Sequence, residues 1–287
     1  MVAQNAIQLL DLTAMSSFGD QYVLSSGRSG HDRLRMLCEI HDPQTRKLLL
    51  QAGLNARHRY IEFGCGLGYV ARWAATQASH VTAVDLSDEH LSEARQLAEG
   101  MALRNIEFIN ASIYDHQLPP ASFDYAYARW LLVHLNRPVD AMRKIFEALK
   151  PGGFLVSEEV DVSEVYTEPP SAAYHEYRDL AMLAGQKRGV DYAGGRRLHK
   201  WASAAGFEIV SVDAYQPHYL SGPQKSFWSW TFLETAPTLV REQTLTEDRV
   251  RQLAEGMKTA DEDPTVLIGH CRNHQLIARK PRHGSAS

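Results

Sequence analysis

The chain has 287 residues, 44% of them hydrophobic and 22% charged, with a formal net charge of -4, the make-up of a folded protein with one full core rather than a disordered one. Its lysines, arginines, aspartates and glutamates are scattered, so no basic stripe tracks nucleic-acid phosphates, and no apolar run has the ~20 residues that span a bilayer. The expected partner is a small neutral or apolar molecule, with neither nucleic acid nor membrane engaged.

The opening stretch "MVAQNAIQLLDLTAMSSFGDQ" lacks the basic start and long apolar core of a secretory leader. Cys38, Cys65 and Cys271 are far apart and show no CxxC pair, which suits a reducing cytoplasm rather than a disulfide framework. The apolar "NAIQLLDLTAM" can swap between the subunits of a homo-oligomer. Residues 1–56 read as a helical lid segment, and in "GHDRLRMLCEIHDPQTRKLLLQAGL" the Asp42-Pro43 pair makes a helix start. Just before it, the glycines and serines of "SSGRSG" suit a mobile loop closing over a site. His31 beside that loop is a candidate catalytic base, and its plainer reading is a surface histidine.

From Tyr60 to Phe154 short β-rich runs alternate with amphipathic ones: "YIEF", "YVARWAATQA", "VTAVD", "EHLSEARQLAEGMA", "IEFINA", "FDYAYA", "AMRKIFEALK" and "FLVSEEV". Such alternation marks βαβ units around a parallel sheet covered on both faces. Residues 160–205 lack strand signals and read as helical. The strand pattern returns in "FEIVSVDAY" and "NHQLIARK", with a mostly helical stretch between them. The expected architecture is a Rossmann-like, doubly wound, seven-stranded, mostly parallel α/β sheet over residues 57–287, carrying cap insertions at about 160–205 and 215–265.

In an open sheet of this kind ligands lie beyond the carboxyl ends of the strands, and the first strand-to-helix turn forms the floor of the crevice. "EFGCGLG" occupies that turn. Gly64 and Gly66 let the backbone approach a ligand, and Gly68 lets the following helix close on the strand. A dinucleotide fingerprint wants its third glycine where Tyr69 stands, which weakens a nicotinamide-dependent oxidoreductase without removing it. Asp85 ends the second strand about 20 residues beyond the turn, where a carboxylate accepts both hydroxyls of a ribose. Ser87 is better placed to cap the next helix, which leaves Asp85 for a ligand. Cys65 owes its place in the turn to its small size, and no His and Cys spacing suggests a metal.

"YIEFGCGLGYVA", "VTAVDLS", "INASIYDHQLPPASFDYAYARWLLVHLNRP" and "ALKPGGFLVSEE", in that order and spacing, resemble the class I S-adenosylmethionine-dependent methyltransferases, in particular the small-molecule group called type 11 or UbiE-like. The resemblance implies S-adenosyl-L-methionine as cofactor and S-adenosyl-L-homocysteine as product. It implies that Glu62, Gly64, Cys65 and Gly66 meet the methionine half, that Asp85 holds the ribose with Leu86 beside the adenine, and that Ile113 offers its N–H to the ring. Ser112 stands where the family often has an aspartate, and its hydroxyl accepts the adenine amino group only weakly. Arg129, after the fourth strand, is expected near the methyl end, and Tyr22 can either lay its ring against the sulfonium or serve as ordinary helix packing.

Methyl transfer from a sulfonium is an in-line displacement that an aligned nucleophile in a dry pocket accelerates. An amine acceptor needs only its lone pair, whereas a phenol or carbon acid must also lose a proton. His31, His134 and Arg129 are the catalytic candidates, although a histidine in the "HL" position of "RWLLVHLNRP" more often supports a helix boundary. The aromatics of "SFWSWTFLE" can wall a substrate, or serve as core or subunit interface. A protein that retains the cofactor pocket without turnover is the remaining alternative.

Overall fold

The computed structural model describes residues 28–115 and 117–282, with side chains from Asp32 onward. Tyr22 lies outside the described residues. A long helix, α1 (Arg28–Gln51), leads into a sheet whose strands alternate with helices: β1 (Arg59–Phe63), α2 (Tyr69–Ala75), β2 (His80–Asp85), α3 (Asp88–Gly100), β3 (Ile106–Asn110) and β4 (Phe123–Arg129). After β4 come α4 (Pro138–Ala148) and the 13-residue β5 (Leu149–Asp161). Next come β6 (Tyr166–Glu168), α5 (Ala172–Lys187) and α6 (Leu198–Ala204), before β7 (Glu208–Tyr215). Then β8 (His218–Tyr219), α7 (Phe227–Arg241), α8 (Glu247–Glu262), β9 (Leu267–Gly269) and β10 (Arg272–Arg279) complete the described chain.

The main sheet has seven strands in the order β3-β2-β1-β4-β5-β10-β7. β1 to β5 run parallel, and only β10 is antiparallel to its neighbours β5 and β7. This is the mostly parallel seven-stranded sheet expected from the sequence. The order reverses between β2-β1 and β4-β5, which places a crevice at the carboxyl ends of β1 and β4. Local chemistry sets several boundaries. Ser87 Oγ accepts the N–H of His90 at 3.2 Å and caps α3, Pro138 opens α4 with a preset φ, and Thr246 Oγ1 accepts the N–H of Arg249 to cap α8.

The core lies on both faces of the sheet. Ile61, Phe63 and Leu155 pack beneath Met142 and Ile145 of α4 and Leu198 of α6, while Tyr60, Tyr127 and Val156 face Leu49 of α1, Val70 of α2 and Leu91 of α3. A third cluster joins Cys38 of α1 to Tyr177 of α5, Phe227 and Trp228 of α7 and Leu253 of α8.

Two expectations fail. Pro43 lies inside α1 rather than at its start, although an interior proline costs about 3 kcal/mol. Flanking contacts offset that cost, because Asp42 and Thr45 both bond to Arg129 on β4. The 160–205 region also contains a strand, β6, in a small antiparallel sheet of order β6-β9-β8. Strands of two or three residues carry no periodicity for sequence reading to find. Among the described residues no helix is long and apolar enough to cross a membrane.

Candidate functional site

Between β1 and α2 the chain turns through three left-handed glycines, with φ of +70° at Gly64, +51° at Gly66 and +67° at Gly68. A residue with a Cβ pays roughly 1–2 kcal/mol in that region. The surroundings of two of them differ. A Cβ on Gly68 would stand 3.0 Å from Phe108 Cε1 and 3.3 Å from Ala94 Cβ, whereas one on Gly66 would meet nothing within 4 Å. Gly68 therefore serves packing of helix on sheet, and Gly66 leaves bare backbone facing open space.

Asp85 closes against this turn. Its Oδ2 accepts the Gly66 N–H at 2.7 Å and its Oδ1 accepts the Ser87 N–H at 2.9 Å. Each carboxylate oxygen offers two lone pairs, so acceptor capacity remains after both bonds. Leu86 beside it is 71% exposed, an apolar surface without cover in the protein. Asn110 braces the same strand end, its Nδ2 donating to the Leu86 carbonyl at 2.8 Å. Ser112 begins the turn after β3, where its Oγ accepts the Tyr114 N–H at 3.2 Å, and Ile113 is buried. Cys65 is buried as well, and burial followed by the nearby Asp85 charge pushes its thiol well above the usual range, so it is no thiolate nucleophile.

Glu62 precedes the turn with its side chain inside the fold. Its Oε2 accepts the Tyr60 hydroxyl at 3.2 Å. Burial pushes its carboxyl up to about 8, against the opposing pull of the Arg129 charge. Arg129 itself is spent on α1: Nη1 donates to Asp42 Oδ1 at 3.0 Å and to Thr45 Oγ1 at 2.9 Å, and Nη2 approaches Cys38 Sγ at 3.3 Å. It clamps the N-terminal helix to the sheet edge.

The next residue, Trp130, is itself left-handed at φ +52°, a strained conformation for a bulky side chain of the kind that clusters at functional sites. Its N–H donates to the Glu158 carbonyl at 2.9 Å, and Nε1 donates to Asn273 Oδ1 at 2.8 Å. The turn that follows is held by Glu159, whose carboxylate accepts the N–H groups of Leu131, Leu132 and Val133 at 3.1, 2.8 and 3.3 Å. Trp130 lines a cavity of about 100 Å³ bounded by the ends of β4 and β5 and by α5 and α7, with Val133, Val160, Leu180, Phe227, Trp228 and Leu239 among its apolar walls. The ring planes of Trp130 and Trp228 lie 13° apart with centroids separated by 6.5 Å. His134 lines the same cavity. Burial, followed by the Arg33 charge, pushes its pKa down to about 4, so it is neutral at pH 7 and a weak base.

The glycine turn, Asp85, Leu86 and Glu62 therefore gather at one strand edge, while His134 belongs to the cavity that Trp130 lines. His31 falls in the first turn of α1, because α1 begins three residues earlier, inside the stretch read as a loop, and its side chain is outside the described set. Sequence reasoning missed Asn110, Glu159 and the Asp42 and Thr45 partners of Arg129. A signal existed for Glu159. Two adjacent carboxylates inside the apolar strand "FLVSEEV" require partners once that strand is buried on both faces. Among the described residues no group of three His, Cys, Asp or Glu side chains could hold a metal.

Residues 61–157 match a family model described as a methyltransferase domain. Among curated proteins, the chain is 34% identical over 118 residues to the S-adenosyl-L-methionine-dependent Diels-Alderase iccD of Talaromyces variabilis, across 40% of this chain and 40% of that protein. It is 26% identical over 175 residues to the tRNA U34 carboxymethyltransferase of Desulfotalea psychrophila, across 61% of this chain and 52% of that one. The chain thus spans about half the length, or less, of these curated relatives. Among solved structures, the YcgJ protein of Bacillus subtilis superposes with a TM-score of 0.58 at 18% identity, covering 85% of this chain and 100% of that one, a likeness of fold.

Proposed function

We propose that the chain, whose residues 61–157 match a methyltransferase domain, is a class I S-adenosylmethionine-dependent methyltransferase and transfers a methyl group to a small, largely apolar acceptor. The observation that carries this reading is the bare backbone at Gly66, bonded to the Asp85 carboxylate, together with an apolar cavity that Trp130 helps to line. In this reading Asp85 takes the ribose hydroxyls, Leu86 covers the adenine with Ser112 and Ile113 at its rim, and Gly64, Cys65, Gly66 and Glu62 meet the methionine end. Residues 1–56 act as the lid, and the insertions at about 160–205 and 215–265 roof the acceptor.

S-Adenosylmethionine supplies an electrophilic methyl group. The chain's own part is to align an acceptor with it and to exclude water, which an apolar cavity favours. A bulky anionic polymer is disfavoured as acceptor by the net charge of -4 and by the small size of the cavity, even though one relative is named for tRNA. The test is incubation of the protein with methyl-labelled S-adenosylmethionine and a panel of phenols, amines and carbon acids. Label transferred to an acceptor with release of S-adenosylhomocysteine is expected, and a panel left unlabelled by a protein that binds nicotinamide cofactor instead would overturn the reading.

A second reading rests on the relative named as a Diels-Alderase, since an aromatic-walled cavity can also fold a polyene for cyclisation. The same incubation separates the two: cyclisation consumes the polyene without releasing S-adenosylhomocysteine.

Glu62 gives a pH dependence. Its carboxyl is neutral at pH 7 in the free protein because burial raises it to about 8, and the ammonium of a bound methionine moiety beside it favours the ionised form. Cofactor binding therefore releases a proton near pH 7, and affinity rises from pH 6 to 7.5. Calorimetry in buffers of differing ionisation enthalpy reads that proton directly, and Glu62→Gln removes both the release and the slope. For folding the sign is opposite. A carboxyl raised from 4.5 to about 8 contributes stability that is fully present below pH 4.5 and lost as pH climbs through 8.

A further inference from the structure

The cavity that Trp130 lines is apolar over most of its wall, but its charged lining residues are of one sign: Arg33 and Arg188 face it, and among the described lining residues there is no aspartate or glutamate. Arg188 is occupied, with Nη1 on the Ala184 carbonyl at 3.2 Å and Nη2 on Glu242. Arg33 differs. It is only 2% exposed, and its Nε donates to Glu234 Oε2 at 2.7 Å. Its two terminal nitrogens have no hydrogen-bond partner among the described residues. A guanidinium carries five N–H donors, and donors left unpaired away from water are costly.

Taking this cavity as the acceptor pocket of the proposed methyl transfer, we propose that Arg33 reads the acceptor: the molecule bound there is an apolar body bearing one acidic oxygen function, a carboxylate, phenolate or enolate, which takes the terminal N–H groups of Arg33. The Glu234 carboxylate behind Nε fixes the guanidinium plane and leaves its far edge toward the cavity. At about 100 Å³ the space is smaller than the engineered apolar cavities of about 150 Å³ that hold benzene, so a single small ring is the largest body to be expected inside it. His134, on the same wall, stays neutral beside Arg33 and adds no competing cation. Arg33 is thus a specificity-determining residue. It selects anionic or ionisable oxygen compounds over amines of equal shape.

Benzoate, toluene and benzylamine share a shape and differ in charge, so they serve as probes, titrated against the full chain by ligand-observed NMR. Benzoate is expected to bind at least about tenfold more tightly than either of the others, as a charge-assisted hydrogen bond in a dry site allows. Arg33→Gln alone takes a buried cationic partner from Glu234 and threatens folding, so the deciding variant is Arg33→Gln with Glu234→Gln, its fold checked by circular dichroism. Benzoate affinity is expected to fall by about 10- to 100-fold in this variant, with toluene within threefold of the parent. Benzoate binding unchanged by the double substitution, or toluene bound by the parent as well as benzoate, overturns the proposal. S-Adenosylmethionine titrated into both proteins keeps the two readings separate. Arg33-dependent benzoate binding without cofactor binding retains this inference and removes methyl transfer, and the reverse result removes this inference alone.

Discussion

Asp85→Asn is expected to lower the affinity for S-adenosylmethionine by about 100-fold or more, the sum of two charge-assisted bonds to ribose hydroxyls. The native carboxylate has four acceptor sites. Two hold the Gly66 and Ser87 N–H groups at 2.7 and 2.9 Å, which leaves two for the sugar. An asparagine has one oxygen, and its amide must turn N–H groups toward either a backbone N–H or a hydroxyl. The turn then loses its tie to β2 at the same moment as the sugar loses its acceptor. Isothermal titration of the variant measures the first loss, and urea unfolding measures the second. A dissociation constant within threefold of the parent would show that this carboxylate does not meet the cofactor.

Arg129→Ala is expected to reduce folding stability by about 3–5 kcal/mol, the range for breaking a buried ion pair from one side. The Arg129 side chain is 8% exposed and that of its partner Asp42 is 10% exposed. Without the guanidinium, Asp42 keeps, among the described residues, the pair with Arg46 at 3.5 Å, whose side chain is 47% exposed, and screening by solvent makes such a pair worth little. Removing both charges, as Arg129→Met with Asp42→Leu, is expected to recover much of the loss. Urea denaturation of the single and double variants is the measurement. Equal midpoints for Arg129→Ala and the parent would mean that α1 is held on the sheet by other contacts, among them the buried Leu49 and the His41 bond to the Tyr215 hydroxyl.

The main sheet was legible because its signals are local. Each strand is a short apolar run between turns, Gly64 to Gly68 announce a tight turn by composition, and Ser87 reads as the cap of the next helix, which its bond to His90 bears out. What escaped reading depends on partners distant in sequence. Pro43 signals a helix start by every local rule, yet α1 runs through it under the hold of Arg129, 87 residues from Asp42 along the chain. Arg33 gives no sign of itself within "GHDRLRML", because its neighbours Glu234 and the cavity are set by α5 and α7. The reading of "SSGRSG" as a loop failed over Arg28 to Gly30, which are helical, for a related reason, since glycine and serine do not stop a helix whose later turns are anchored.

The cavity that Trp130 lines has a consequence for how such a protein diversifies. The strand ends are fixed by Asp85, Glu62 and the glycines, whereas much of the cavity wall comes from α5 and α7. If the proposed reading holds, substitutions along those two helices reshape the chamber for a new guest while the donor's place at the strand ends keeps its dimensions. Trp130 is the poor place for such drift, because a left-handed backbone accepts few replacements. A library confined to Leu180, Ala181, Ala184, Thr235 and Leu239 would accordingly explore new acceptors with little harm to the donor half.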